Sequence, residues 1–194
     1  ESIPLICSSI MSKKIAEGAA NILLDVKTGD GAFMSNYKEA KILAKKMVET
    51  GKKFGRNMTA VISDMDNPLG NQIGNSLEII QTIEVLKNNI TNDFYDLCIE
   101  LAALTIVQTK KAKNIKQARS IAQKAISSGK ALEKLIKMIE YQGGNTKVTD
   151  KYSLLGKAKK EYVIKATKTG YIGSIQTRQL GICSCMLGAG RLIS

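Results

Sequence analysis

The first sign of the architecture is Asn21-Ile22-Leu23-Leu24-Asp25-Val26, a short apolar run typical of strands buried inside parallel sheets. The sequence predicts a turn at residues 27–31, a helix from about Asn36, and a second buried strand from Met58 to Ser63. A strand, a helix and a strand at this spacing form a βαβ unit. The sequence therefore predicts an α/β fold with a parallel sheet flanked by helices.

Helices are predicted on both sides of this unit. The first runs from about Pro4 to Glu17, with proline at an early position where its missing N–H costs nothing, and Gly18 ends it. Asn36 is predicted to begin the helix between the strands, with Glu39 as its capping-box partner. Apolar residues at helical spacing predict four further helices, which contain Ile80, Leu101, Ile121 and Leu135.

The pattern changes after Gly143-Gly144-Asn145. Two strands are predicted, at Tyr162–Thr167 and at Tyr171–Ile175, followed by a short helix from Gln179 to Leu187 that would end at residues 188–190. This mixture indicates that residues 146–194 are the beginning of a separate α+β subdomain.

The formal charge of +12 raises the possibility of a nucleic-acid-binding module. Its lysines are spread along the chain, and the aromatic residues, 5% of the total, do not interleave with the short lysine clusters at residues 110–113 and 157–160. A lysine-rich surface is therefore the favoured interpretation, and no nucleic-acid partner is predicted. An anionic small substrate would suit the positive field equally well.

The reactive residue types exclude several kinds of chemistry. The chain has no histidine, which removes His-dependent nucleophilic catalysis and His-based metal sites. Its four cysteines are interpreted as reduced core residues, which predicts a cytoplasmic protein. No apolar run approaches the roughly 18 residues of a membrane span, so no membrane partner is predicted. The start at Glu1 does not resemble a signal peptide, and we expect the natural chain to extend upstream.

Ser9 and Lys13 are one helical turn apart, so they share a face of the first predicted helix, with Ile6 beside them. A hydroxyl and an ammonium above an apolar floor suit a planar, hydrogen-bonding ligand that becomes negative as it leaves. On spacing alone, a solvated lysine and an ordinary helical serine are the more common case. The turn at residues 27–31 is either structural or a pocket wall, and the loop at residues 64–74 either joins two elements or holds a cation through carbonyl oxygens.

Taken in order, several stretches of the chain resemble the pyrimidine-nucleoside and thymidine phosphorylase family. Each stretch is weak alone, but the ordered set is specific. The matching residues are 2–14 (Ser-Ile-Pro to Ser-Lys-Lys), 24–34 (Leu-Asp-Val-Lys-Thr-Gly-Asp-Gly-Ala-Phe-Met), 63–65, 68–70, 74–78, 170–172, 177–181 and 187–191.

The resemblance implies reversible phosphorolysis of uridine or thymidine, with pyrimidine nucleoside and inorganic phosphate as substrates, in a cytoplasmic homodimer. It implies that Ser9 and Lys13 bind the pyrimidine base and that Ile6 and Phe33 form apolar walls around the ring. It also implies three parts: residues 1–17 as one helix of a small all-α domain, residues 18–145 as the central α/β domain, and the subdomain at 146–194.

Some bacterial members of that family hold a potassium ion, and the resemblance places this site at Leu69, Gln72 and Gln81. Gln81 stands where the family has a glutamate, and a neutral amide is a weaker cation ligand than a carboxylate. No other cofactor is predicted.

The family's Gly-rich phosphate loop has no counterpart among these residues, so the 194 residues alone are expected to catalyse no phosphorolysis. A basic nucleic-acid-binding module and an inactive, phosphorylase-like scaffold remain alternatives, and the sequence does not distinguish uridine from thymidine.

Overall fold

The computed structural model describes residues 2–156 and 158–189. The predicted helix stop at Gly190, the family match at Arg191 and one member of a lysine cluster, Lys157, lie outside the described residues. In chain order the elements are α1 (Ile3–Ala16), β1 (Asn21–Thr28), α2 (Tyr37–Lys53), β2 (Asn57–Asp64), α3 (Asn75–Leu86), α4 (Asp93–Gln108), α5 (Ile115–Ser127), α6 (Lys130–Tyr141), two short 3-10 helices (Thr146–Thr149 and Tyr152–Leu155) and α7 (Thr177–Met186).

The predicted βαβ unit is confirmed, because β1 and β2 pair in parallel from Asn21 opposite Asn57 to Thr28 opposite Asp64. The boundary of the predicted turn was wrong by two residues. Lys27 and Thr28 belong to β1, since the parallel ladder continues through them, and the turn begins at Gly29. Gly29 has φ +122, a conformation that L side chains rarely adopt.

One hydrophobic core lies between the sheet and the first two helices. The side chain of Asn36 accepts a hydrogen bond of 3.0 Å from the Glu39 N–H, which is the predicted start of α2. The buried residues of this core come from α1, β1, the loop after β1, α2 and β2; they are Ile6, Cys7, Met11, Ile22, Leu24, Val26, Met34, Ala40, Leu43, Ala44, Met47 and Met58. Helix α1 packs into the same core as the sheet. Its assignment to a separate small domain stays a prediction.

The second face of the sheet contacts α4. Gln108, at the end of α4, donates from Nε2 to the carbonyl oxygens of Ile22 (3.2 Å) and Asn57 (2.7 Å), and so joins the helix to the start of both strands. Ile99 of α4 and Ala122 and Ile126 of α5 form a second, smaller core. Among the described helices, none combines the length and the apolar character needed to cross a bilayer.

The two strands predicted after residue 160 were wrong. Within the described ranges, residues 162–167 and 171–175 form no strand, and Tyr162, Ile164 and Tyr171 are almost fully exposed. A lone two-stranded ribbon is marginal in water unless a further strand or a helix covers it, and nothing covers these side chains among the described residues. The final predicted helix is confirmed as α7, beginning at Thr177 rather than at Gln179.

Candidate functional site

The predicted pair Ser9 and Lys13 lies on the exposed side of α1. Both residues are exposed to solvent, one helical turn apart, whereas Ile6 is buried beneath them at 8% exposure. Neither Ser9 nor Lys13 lines a described cavity. Their hydroxyl and ammonium groups are therefore free to meet a ligand, but the structure does not bring them onto the same cavity as the predicted apolar walls.

The two residues predicted to form the apolar walls, Ile6 and Phe33, lie on the same cavity. Ile6 and Phe33 line one cavity of about 320 Å³ beside the carboxyl end of β1. Ile10 of α1 and Met65 after β2 also line it, while the Phe33 side chain remains 82% exposed. The carboxyl ends of parallel strands are where open α/β folds bind ligands, so the cavity occupies the expected position.

The loop that carries Phe33 is held by backbone hydrogen bonds. The Gly29 N–H donates to the Met34 carbonyl (3.0 Å), and the Gly31 N–H donates to the Met65 carbonyl (3.0 Å). The Asp66 carboxylate accepts from the Asp30 N–H at 2.8 Å. These bonds tie the loop after β1 to the loop after β2.

Helix α7 adds a third attachment to these loops. The Thr177 hydroxyl donates to the Asp66 carbonyl (2.6 Å), and the Arg178 N–H donates to the Asp30 carboxylate (3.0 Å). The Arg178 guanidinium also donates to the Ala32 carbonyl (3.4 Å). The sequence patterns did not predict this role, for which the family-like stretch 177–181 was the available signal.

A polar cluster at the end of the sheet was also missed. Lys27 Nζ lies 2.6 Å from Asp25 Oδ2 and donates to Ser63 Oγ at 2.8 Å, while Ser63 Oγ donates to Asp25 Oδ1 at 2.5 Å. Alternation along a strand puts Asp25 and Lys27 on one face, which could have revealed the pair. Burial raises the pKa of the Cys98 thiol on α4. The charge of Lys27 opposes this rise and the charge of Asp25 adds to it, so the thiol beside this cluster is held neutral.

The predicted potassium residues Leu69, Gln72 and Gln81 line a second cavity, of about 790 Å³. The Gln81 side chain is 4% exposed, and its Oε1 accepts from the Asn71 N–H (2.7 Å) and from Asn92 Nδ2 (3.5 Å). The oxygen that a cation would need is thus already engaged, and Gln81 does not fit as a ligand. Potassium binding by Leu69 and Gln72 stays a prediction, and the described residues hold no cluster of three His, Cys, Asp or Glu side chains suited to a metal.

Comparison with known proteins agrees with the resemblance. The chain is 47% identical over 191 residues to the pyrimidine-nucleoside phosphorylases of three Staphylococcus aureus strains, USA300, NCTC 8325 and bovine RF122. The alignments cover 98% of this chain but 44% of each relative, so the chain spans less than half of their length. Residues 2–132 match the family described as "Glycosyl transferase family, a/b domain". That match extends over more than half of the sequence, and the protein therefore belongs to the glycosyl transferase family.

Proposed function

We propose that this chain is part of an enzyme that phosphorolyses pyrimidine nucleosides. Inorganic phosphate attacks the anomeric carbon of the nucleoside, the pyrimidine leaves, and a sugar 1-phosphate forms. The observation that carries the proposal is the 47% identity to pyrimidine-nucleoside phosphorylases over nearly all of the chain. The cavity shared by Ile6 and Phe33, at the strand ends, supports it with a site for an aromatic ring.

The leaving base explains what Ser9 and Lys13 contribute. A departing pyrimidine carries negative charge, and an ammonium that meets it stabilises the transition state more than the ground state. A charge-assisted hydrogen bond of this kind is worth about 1.5–3 kcal/mol. The exposure of both residues leaves their polar groups available for the edge of the base.

Ser9 and Lys13 share α1 with Ile6 and Ile10, which line the cavity, so the pair lies on the helix that forms one of its walls. Gly18, between α1 and β1, has φ +78, and nothing lies within 4 Å of where its Cβ would be, so we propose it as the point where α1 moves relative to the sheet. Closure of one segment over another commonly assembles such sites. A hinge at Gly18 therefore belongs to the proposal.

The complete enzyme is proposed to be a cytoplasmic homodimer that uses uridine, thymidine or both. The phosphate loop of the resembled family has no counterpart among these 194 residues, so they supply the base-binding part of the reaction. We expect the chain to bind the pyrimidine and to show no turnover. Turnover of uridine by the purified chain would contradict this division of labour.

A binding experiment tests the proposal. Uracil is titrated into the purified chain, and amide shifts of α1 and the Phe33 loop are followed by NMR. Lys13→Met should weaken uracil about tenfold, the loss of one charge-assisted hydrogen bond, and Ser9→Ala should weaken it about fivefold, the loss of one between neutral groups. Lys14→Met, which removes the neighbouring ammonium paired with Glu17, is the control and should leave uracil binding unchanged. Equal affinity in all four proteins, or no uracil response in any, overturns the proposal.

Filter binding over a salt series addresses the nucleic-acid alternative with the same protein. A charged surface without a binding site gives weak retention of single-stranded DNA. Tight binding whose affinity falls steeply with salt would instead identify a basic nucleic-acid module.

A further inference from the structure

The Phe33 side chain is not held by its own packing. It lines the cavity with Ile6, yet it is 82% exposed, so its direction depends mainly on the backbone that carries it. The loop fastens part of that backbone itself, because the Gly29 N–H donates to the Met34 carbonyl at 3.0 Å. Contacts from other elements must fix the middle of the loop, where Phe33 lies.

Arg178 holds this loop at two points, one on each side of Gly31. Its backbone N–H donates to the Asp30 carboxylate at 3.0 Å, and its guanidinium donates to the Ala32 carbonyl at 3.4 Å. The Ala32 carbonyl belongs to the planar peptide group that also contains the Phe33 N–H. A hydrogen bond to that oxygen therefore fixes the plane from which the Phe33 side chain extends.

The attachment stabilises α7 as well as the loop. No side chain within α7 or at its N-cap residue, Gln176, caps the helix. The Asp30 carboxylate instead accepts from the N–H of Arg178, the second residue of α7, and so satisfies one donor of its first turn. A negative charge at this end of a helix also interacts favourably with the helix dipole. The start of α7 and the Phe33 loop therefore support each other.

Contacts of this kind, rather than chain neighbours, hold α7 in place. Residues 158–176, which precede it, form no helix or strand. Beyond its other end, the Asn75 N–H donates to the Ala189 carbonyl at 2.8 Å. At the first turn the approach is close, since a Cβ added at Gly31 would lie 2.7 Å from Thr177 Cγ2. Both ends of α7 are thus attached to the body of the fold.

We propose that Arg178 is a positioning residue for the base site, which fixes the direction of Phe33 through the Ala32 carbonyl. Arg178 does not line the cavity that Ile6 and Phe33 share, so it acts on a base through Phe33 and not by contact. The consequence for base binding rests on the proposed function. The order of the Phe33 backbone does not, because it is measured without a ligand.

The first measurement uses the free chain. Arg178→Met keeps a long, unbranched side chain and removes the guanidinium donor. We expect the amide order parameter of Phe33, from nitrogen-15 relaxation, to fall from the rigid range of about 0.85 towards the flexible range below about 0.6. Gln179→Met changes the next residue of α7, which is exposed and lines neither cavity, and should leave the order parameter unchanged.

The second measurement is a double-mutant cycle with uracil. Arg178→Met should weaken uracil about threefold when Phe33 is present and should have no effect in a Phe33→Ala chain, because a residue that acts through the ring has no effect once the ring is removed. Thr177→Val gives a second reading. It loosens the same turn of α7 without changing any charge, and it should lower the Phe33 order parameter, whereas Thr177→Ser should retain it.

The outcomes separate the two proposals. A Phe33 order parameter that is the same in wild type and Arg178→Met overturns the positioning role, as does an equal weakening of uracil by Arg178→Met with and without the Phe33 ring. An order parameter that falls in Arg178→Met, in a chain that binds no uracil even as wild type, supports the hold of Arg178 on Phe33 and overturns the proposed base site.

Discussion

Thr177 and Asp66 are 111 residues apart in the sequence, yet the Thr177 hydroxyl donates a 2.6 Å hydrogen bond to the Asp66 carbonyl. Thr177 is 8% exposed, and its methyl group would lie 2.7 Å from a Cβ added at Gly31. The first turn of α7 therefore rests directly on the loops that follow β1 and β2. The position of Phe33 depends on this contact as well as on its own loop.

Thr177→Val keeps the shape of the side chain and removes the hydroxyl, leaving the Asp66 carbonyl without this donor. We expect a loss of about 1–2 kcal/mol in the free energy of unfolding, measured by urea denaturation. Hydrogen exchange of the Gly31 N–H should also accelerate. Thr177→Ser, which keeps the donor, is the control and should retain the slow exchange; equally fast exchange in both variants would show that the hydroxyl does not hold the loop.

Gly29→Ala tests the turn after β1. The backbone there has φ +122, and a Cβ would lie 2.5 Å from Asp66 Oδ1 and 2.7 Å from the Asp66 backbone nitrogen. Strain and clash together should cost about 2–4 kcal/mol in unfolding free energy. Gly55→Ala is the matched control, because Gly55 has φ +70 but an open surrounding, so about 1 kcal/mol is expected there. Similar losses at the two positions would mean that the close approach of Asp66 is not present in solution.

Gln81 is predicted to take the place of a cation in holding the loop at residues 69–72. Wild-type melting temperatures should then be equal in potassium chloride and choline chloride. Gln81→Glu buries a negative charge that keeps the Asn71 and Asn92 hydrogen bonds but has no cation beside it, and should lower stability by about 2–4 kcal/mol in choline chloride. Potassium should partly restore the melting temperature of this variant, because it supplies the missing positive charge. A wild-type chain that melts at a higher temperature in potassium than in choline would contradict the prediction.

The pair Glu84 and Tyr152 should give the chain an acid-dependent stability. The Tyr152 hydroxyl donates to the Glu84 carboxylate and, with Asn89, lowers the pKa of Glu84 below its ordinary value of 4.5. A lowered folded-state pKa stabilises the fold above the unfolded pKa, and this stabilisation is lost as pH falls through the folded value. Tyr152→Phe should therefore destabilise the chain at pH 7 by about 1 kcal/mol and by less near pH 3.

Urea midpoints at the two pH values measure this effect. The pair joins α3 to the second 3-10 helix, and a nearby change that spares it, Lys151→Met, is the control. A difference between wild type and Tyr152→Phe that stays constant from pH 7 to pH 3 would exclude Glu84 as the titrating group.

Local patterns in the sequence were enough to predict the central elements. Strand-like runs at residues 21–26 and 58–63, and an Asn36 cap on the helix between them, depend on neighbours within a few positions. Those neighbours impose the same conformation in the folded chain. The resemblance to phosphorylases was likewise readable from ordered short motifs. The match to the glycosyl transferase family and the 47% identical relatives agree with it.

Other features depended on partners far along the chain, which local patterns do not reveal. Residues 162–167 alternate as a strand would, but they form no strand, because no strand or helix covers them among the described residues. The polar cluster around Lys27 exists because the parallel register puts Ser63 opposite it, and the Phe33 loop is held because α7 folds back onto it. Pairing register and long-range packing come from the whole fold, so these contacts appeared with the tertiary structure.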